Sequence, residues 1–204
     1  MPEHDPRQSA IIPDFCGVSD VDEIQRRFHR SAEAIMLKHN LVFGHFEKKR
    51  CMRITGLELY LHCNAWADPN TDRCDKQKMS NTWYVRRRGK NANTSRIDIT
   101  AGSADQNIYC GLLLRGVDGT DGSGKAIKKI LRGYAPSRRD WEDNEITVLD
   151  EIDGASVTDG LLRLEPRVEP HQGKLAFQKR VGLEHSQDPW GDCWLGVIVD
   201  QSYT

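Results

Sequence analysis

Apolar and polar residues alternate with a period of two from Ile54 to His62: Leu57, Leu59 and Leu61 fall on one side, and Glu58, Tyr60 and His62 on the other. This is the pattern of a strand with one face turned to a core. "TWYVRRR" and "SRIDITAG" read as a strand pair around the loop "GKNANT", and "IYCGLLLRGVDG" as a strand ending in Gly and Asp. "KLAFQKRVGLE" and "CWLGVIVD" read as two last strands. Upstream the spacing changes: Val21, Ile24, Phe28, Ala32 and Ile35 form one helical stripe within "SDVDEIQRRFHRSAEAIMLKHN". Ser19 or Asp20 can cap this helix, with Glu23 three residues past Asp20 as in a capping box. "KAIKKILRG" predicts a short helix stopped by Gly133. "ADPNTDRCDKQKMSN" is a polar loop with turn chemistry at Asp68-Pro69-Asn70, and "DGTDGSG" is a turn-rich link. Residues 1–18 hold Pro2, Pro6 and Pro13 and show no period, which predicts a flexible arm ahead of a single domain over 19–204. Residues 135–170 are mixed and charge-rich and predict no clear element. The expected fold is α+β: an antiparallel-rich, curved sheet with a few flanking helices.

Composition narrows the function. The chain has 204 residues, enough for a sizeable core, with 29% charged and 38% apolar residues. No apolar run approaches the roughly 20 residues of a membrane helix. "MPEHDPRQSAIIPDF" lacks the layout of a secretion signal, so an intracellular location and no membrane partner are expected. A net charge of -1 argues against indiscriminate polyanion binding. Locally the balance differs: Arg86, Arg87, Arg88 and Lys90 cluster, and Arg138 and Arg139 follow later. That cluster suits either an anionic ligand or a solvated hairpin tip. The 6 cysteines form no C-x-x-C pair and read as reduced thiols. His62, Cys63 and Cys74 match no standard zinc spacing, and no metal or cofactor is expected. There is no P-loop: the glycines of "DGTDGSGK" lack the required spacing and Lys-Ser/Thr end.

The polar side of the strands holds the candidate chemistry. Glu58, Tyr60 and His62 line one track, and Gly56 leaves room for something to approach the sheet closely. Asp98 and Thr100 oppose Ile97 and Ile99 on a second strand, and Arg115 ends a third after three leucines. If these strands are neighbours, Glu58, Asp98 and Arg115 converge, and such a grouping can tune one carboxyl against the other. Tyr60, Trp66, Trp83 and Tyr84 cluster nearby in sequence. They suit either a flat wall for a nucleobase or core packing.

The segments "TGLELYL", "WYV", "RIDIT", "GLLLRGVD", "GSGKAIKKIL" and "KRVGLEHSQDPW", taken in order, resemble the alkyladenine (3-methyladenine) DNA glycosylase family in a shortened, divergent form. The likeness spans about residues 50–195 and rests on the order of the motifs. It implies that Glu58 is the water-activating glutamate, that Tyr60 stacks on an extruded base, that Tyr84 or Trp83 faces it across the base, and that Arg115 lies beside the active-site backbone. With Arg86, Arg87, Arg88 and Lys90, Lys125 at the helix start is expected to contact nucleic acid. The chain departs from the family at Asp98, where the family has asparagine, and at Asp72, where short members have a histidine. His62 is the candidate to replace that histidine in space. The aromatic wedge hairpin is replaced by "RRRGKNANTS".

The implied reaction is hydrolytic release of a purine base from DNA, with Glu58 activating water and stabilising an oxocarbenium-like sugar. No lysine accompanies the pattern, so no Schiff-base step is expected. Two alternatives stand beside it. One is an N-glycosidase acting on RNA, a nucleotide or a nucleoside, favoured by the charge balance, Asp98 and the missing wedge. The other is a nucleotide-binding protein with a lapsed site, motivated by Asp72. DNA or another nucleotide-containing molecule is the expected partner, and no protein partner is evident.

Overall fold

A computed structural model describes residues 11–44, 49–87, 95–132, 146–181 and 193–200. They form a single α+β domain in which every strand pair is antiparallel. Helix α1 (Val21–Lys38) is followed by strands β1 (His39–Phe43), β2 (Arg50–Met52), β3 (Ile54–Cys63) and β4 (Trp66–Ala67). A 3-10 turn (Asp75–Lys78) leads to β5 (Ser80–Arg86), β6 (Arg96–Ala101), β7 (Tyr109–Val117) and helix α2 (Ser123–Leu131). Residues 146–152 are helical, and β8 (Leu162–Pro166), β9 (Leu175–Gln178) and β10 (Gly196–Val199) complete the described elements.

The strands make two sheets. The larger has 7 strands, ordered β5-β6-β7-β3-β10-β9 with β4 on β3; the smaller has 3, ordered β2-β1-β8. The leucines of β3 and β7, the stripe of α1 and the apolar face of α2 share one core with β1 and β8. α1 packs on β3 and β1, and α2 on β7 and β6. The Asp20 side chain accepts from Glu23 N–H at 2.8 Å and fixes the start of α1. Ile24, Phe28, Ala32 and Ile35 are fully buried.

Several elements differ from the sequence reading. The expected helix includes His39 and Asn40; the β-branched and aromatic content of "NLVF" and pairing on both edges, to β2 and β8, draw them into β1 instead. β2 and the helical residues 146–152 carry no expected element. β8 lies in the stretch with no expected element. Its Leu162 and Leu164 point to the core, and Arg163 and Glu165 pair with each other on the outside at 2.7 Å. The segment 11–18 is no loose arm: Ile12, Phe15 and Val18 are buried in the core, and Arg27 ties it down through the carbonyls of Asp14 and Cys16. Apolar burial here outweighs the lack of a period. Residues 1–10, and the expected helix stop at Gly133, lie outside the described residues.

Trp83 sits at the join of the sheets. It is 0% exposed, and its Nε1–H donates to Leu162 O at 2.7 Å. Replacing Trp83 with alanine removes a large core side chain and leaves that carbonyl unpaired. The expected cost is about 3–5 kcal/mol, read as a lower urea midpoint at an unchanged slope.

Candidate functional site

The second face of the larger sheet holds the polar track. β3 lies between β7 and β10, so its backbone is paired on both edges, and both of its faces are covered over most of its length. Register places side chains in rows. Glu58 pairs with Leu113 on β7, Leu113 with Asp98 on β6, and Asp98 with Tyr84 on β5. Glu58 and Asp98 thus stand two strands apart in one row, with Cα atoms ~10 Å apart. The next row runs Tyr60, Gly111, Thr100. The expected neighbourhood of Glu58 and Asp98 is present, and Arg115 joins it.

Glu58 is 2% exposed, in the middle of a sheet, where an unpartnered carboxylate is costly. Two hydrogen bonds and an ion pair hold it. Tyr60 O–H donates to Oε2 at 3.0 Å, the backbone N–H of Val181 donates to Oε1 at 3.0 Å, and Arg115 Nε lies 3.4 Å from Oε1. Arg115 comes this close because β3 and β7 slip register between Ile54 and Leu57. At Gly56 a β-carbon would stand 3.2 Å from that of Arg115. What approaches the sheet at this glycine is therefore the arginine of the neighbouring strand.

After β9 the chain crosses this face at Arg180 and Val181. Arg180 is fully buried and ion-paired with Asp68, which is also fully buried. Its guanidinium lies 4.8 Å from the Tyr60 ring centroid and donates to Leu59 O at 3.2 Å. Asp68 holds its turn with the other oxygen, accepting from Asn70 N–H at 2.9 Å. One carboxylate thus shapes the predicted turn and neutralises the arginine above Tyr60. Burial, then the charge of Glu58, push the Tyr60 phenol up, keeping it a protonated donor.

Asp98 has a different environment. It is 4% exposed, and its Oδ1 has no hydrogen-bond partner. Its carboxyl lies over Gly111, where a β-carbon would stand 2.8 Å from Oδ2 and 3.1 Å from Gln77 Nε2. Burial pushes its pKa up to about 7; the charges of Arg86 and Arg96 oppose the rise, and that of Glu58 adds to it. Glu58 is held by two hydrogen-bond donors and a cation, whereas burial raises the proton affinity of Asp98.

At the far end of the row, Tyr84 O–H donates to Asp72 Oδ2 at 3.2 Å, and Asp72 is ion-paired with Arg86. Asp72 therefore reaches the site's edge. Tyr84 is half-buried on the site face. Trp83 points to the core, so of the two candidates for the second aromatic only Tyr84 remains. His62 stands four residues along β3 from Glu58, ~13 Å away. Its ring packs edge-on against Tyr109 at 6.0 Å between centroids, so it does not stand in the Glu58 row or take the place of the missing histidine. Arg87 pairs with Asp150 away from the row. Lys125 is exposed on the first turn of α2. Arg88, Lys90, Arg138 and Arg139 lie outside the described residues.

The sequence reading missed Arg180, Asp68 and the Val181 N–H. In sequence Arg180 and Val181 read as part of the strand "KLAFQKRVGLE", which ends at Gln178, and Asp68 only as the opening of a turn; nothing in either segment reports that they meet. No group of three or more His, Cys, Asp or Glu able to hold a metal occurs among the described residues, and no described helix is long and apolar enough to cross a membrane. No family model matches the chain, and no curated protein matches it.

The raised pKa of Asp98 has a thermodynamic consequence. Its folded value exceeds the ordinary 3.8, so between 3.8 and about 7 the folded state binds more protons than the unfolded state. The contribution of Asp98 is present at low pH and is lost as pH rises through about 7. Urea midpoints measured across this range should fall with pH more steeply in the wild type than in Asp98→Asn. Parallel curves would show that Asp98 titrates normally.

Proposed function

We propose that this protein is a hydrolytic N-glycosylase that releases a purine base from a nucleotide-containing substrate, with alkylated DNA as the first candidate. The observation that carries this reading is Glu58: a carboxylate deep in a sheet face that accepts two hydrogen bonds, from Tyr60 and Val181, and faces the Arg115 guanidinium as an ion pair. A carboxylate offers about four lone-pair sites. Tyr60 and Val181 occupy two of these, and with the Arg115 ion pair they fix the group's orientation. In this reading a remaining site takes a water molecule. The ordered resemblance to the alkyladenine glycosylase motifs supports the same role for Glu58 and Tyr60.

In this reading the sugar lies above Glu58. As the glycosidic bond lengthens, positive charge grows on the sugar, and the nearby carboxylate stabilises it. Glu58 then takes the proton of the attacking water. Arg180 closes one face of Tyr60, so a base can stack only on the other face. Tyr84 supplies a second aromatic across β6 and β7. Asp98, protonated near neutrality, can donate to a nitrogen of the departing base. That extends the chemistry to neutral purines, which leave poorly without a proton. A separation of acid and base duties between two carboxyls in different surroundings is a general device.

A second substrate reading is favoured by Asp72. By pairing with Arg86 it removes one cation from the row's edge, which weakens the case for a DNA backbone and favours RNA, a nucleotide or a free nucleoside. One assay separates these. Base release is followed by HPLC from alkylated duplex DNA, single-stranded DNA, RNA and nucleosides. The expected result is release from at least one of them, reduced at least about a hundredfold in Glu58→Gln, with the variant's unfolding transition retained. Binding that falls steeply with salt assigns a polymer, and a flat response assigns a small substrate. Equal rates in wild type and variant would overturn the role of Glu58.

A further inference from the structure

A second polar cluster lies away from Glu58, where the loop after β8 meets the start of β3. Arg53 precedes β3, with its Cα ~16 Å along the strand from that of Glu58. Its backbone N–H donates to Asp118 Oδ1 at 2.8 Å, and its Nη2 donates to Gln172 O at 3.0 Å. Arg167 donates from Nε to Glu169 O at 2.8 Å and from Nη1 to Asn40 Oδ1 at 2.7 Å. The loop itself is anchored on the end of α1: Arg167 N–H donates to Lys38 O at 2.8 Å and His171 N–H to Leu37 O at 2.7 Å. Next along, a β-carbon at Gly173 would stand 3.1 Å from Arg53 Nη2, so the loop passes the guanidinium closely.

The recorded acceptors of both guanidiniums are neutral carbonyls and an amide, which orient the charges without cancelling them. The nearby carboxylate is Asp118. One of its oxygens takes the Arg53 backbone N–H, and the other faces Arg50 at 3.6 Å. In this cluster Arg53 Nε and His171 Nε2 are buried with no hydrogen-bond partner among the described residues. Buried polar atoms without partners call for a ligand, an ion or water. The positive charges also act on one another. Burial, then Arg167, lower the pKa of Arg53; burial, then Arg167 and Arg53, bring His171 down to about 4, against a smaller opposing pull from Asp118.

We propose that Arg53, Arg167 and His171 form an anion site for a phosphate group, separate from the Glu58 row. A tetrahedral oxyanion supplies acceptors for the unpaired nitrogens and relieves the repulsion between the two guanidiniums. The phosphate can belong to a free nucleotide or to a nucleic-acid backbone. The site stands on its own geometry, whether or not Glu58 is catalytic.

The test uses the whole chain. The Arg Nε–H and His171 ring resonances are followed by NMR during titration with inorganic phosphate, and with chloride at matched ionic strength. The expected result is saturable shifts at Arg53 and His171 with phosphate alone, with a Kd of about 1 mM or tighter. Arg167→Gln and His171→Gln, checked for retained folding by their unfolding midpoints, should each weaken binding, the first by about tenfold or more. Competition by a nucleoside monophosphate but not by a single-stranded oligonucleotide assigns a free phosphate; competition by the oligonucleotide assigns a backbone. Linear, non-saturating shifts in the wild type would overturn the proposal, even if both variants unfold.

Discussion

A carboxylate in the middle of a sheet must be paid for by its neighbours, and Glu58 organises everything around it for this reason. It needs donors on both oxygens. Tyr60 supplies one from the same strand, the chain crossing after β9 supplies a second from its backbone, and Arg115 adds a cation from the neighbouring strand. Each partner depends on a further feature. Arg115 reaches across because residue 56 is glycine and the register slips there. The crossing segment stays on the sheet because Arg180 is buried against Asp68, Leu59 O and the Tyr60 ring. Asp68 and Arg180 form a buried ion pair beneath the crossing segment, so the support of Glu58 is itself an ionic arrangement.

The two carboxyls of the row divide by environment. Glu58 is held by two donors and a cation, whereas Asp98 lies over a glycine with one oxygen unpartnered and its pKa raised to about 7. Leu113 stands between them in register. An acceptor and a group of raised proton affinity thus stand on one face, with Tyr60 beside the first and Tyr84 beside the second. β-strands hold such groups more firmly than loops do, because each backbone is fixed by its neighbours.

Much of this was legible in the chain. Period two put Glu58 and Tyr60 on one face, and it also settles Trp83 against Tyr84: Trp83 shares a face with the buried Val85, and Tyr84 with Arg86. The neighbourhood of Glu58, Asp98 and Arg115 followed from strand pairing. The pattern does not show what covers the second face. Segments over Glu58 and Gly111 come from Asp68, Gln77 and Arg180, residue types that usually mark a solvated surface, and their burial depends on pairs formed over long sequence separations. β1 and β8 were hidden for a related reason: each is short, and only pairing with the other turns a few apolar residues into a sheet.

In the proposed reaction, Glu58 stabilises positive charge on a sugar. The most direct measurement compares two oligonucleotides, one carrying a cationic pyrrolidine abasic mimic and one the neutral tetrahydrofuran analogue. The wild type should bind the cationic mimic more tightly than the neutral one, and Glu58→Gln should lose that preference while still binding the neutral analogue. An equal preference in both proteins would contradict the claim.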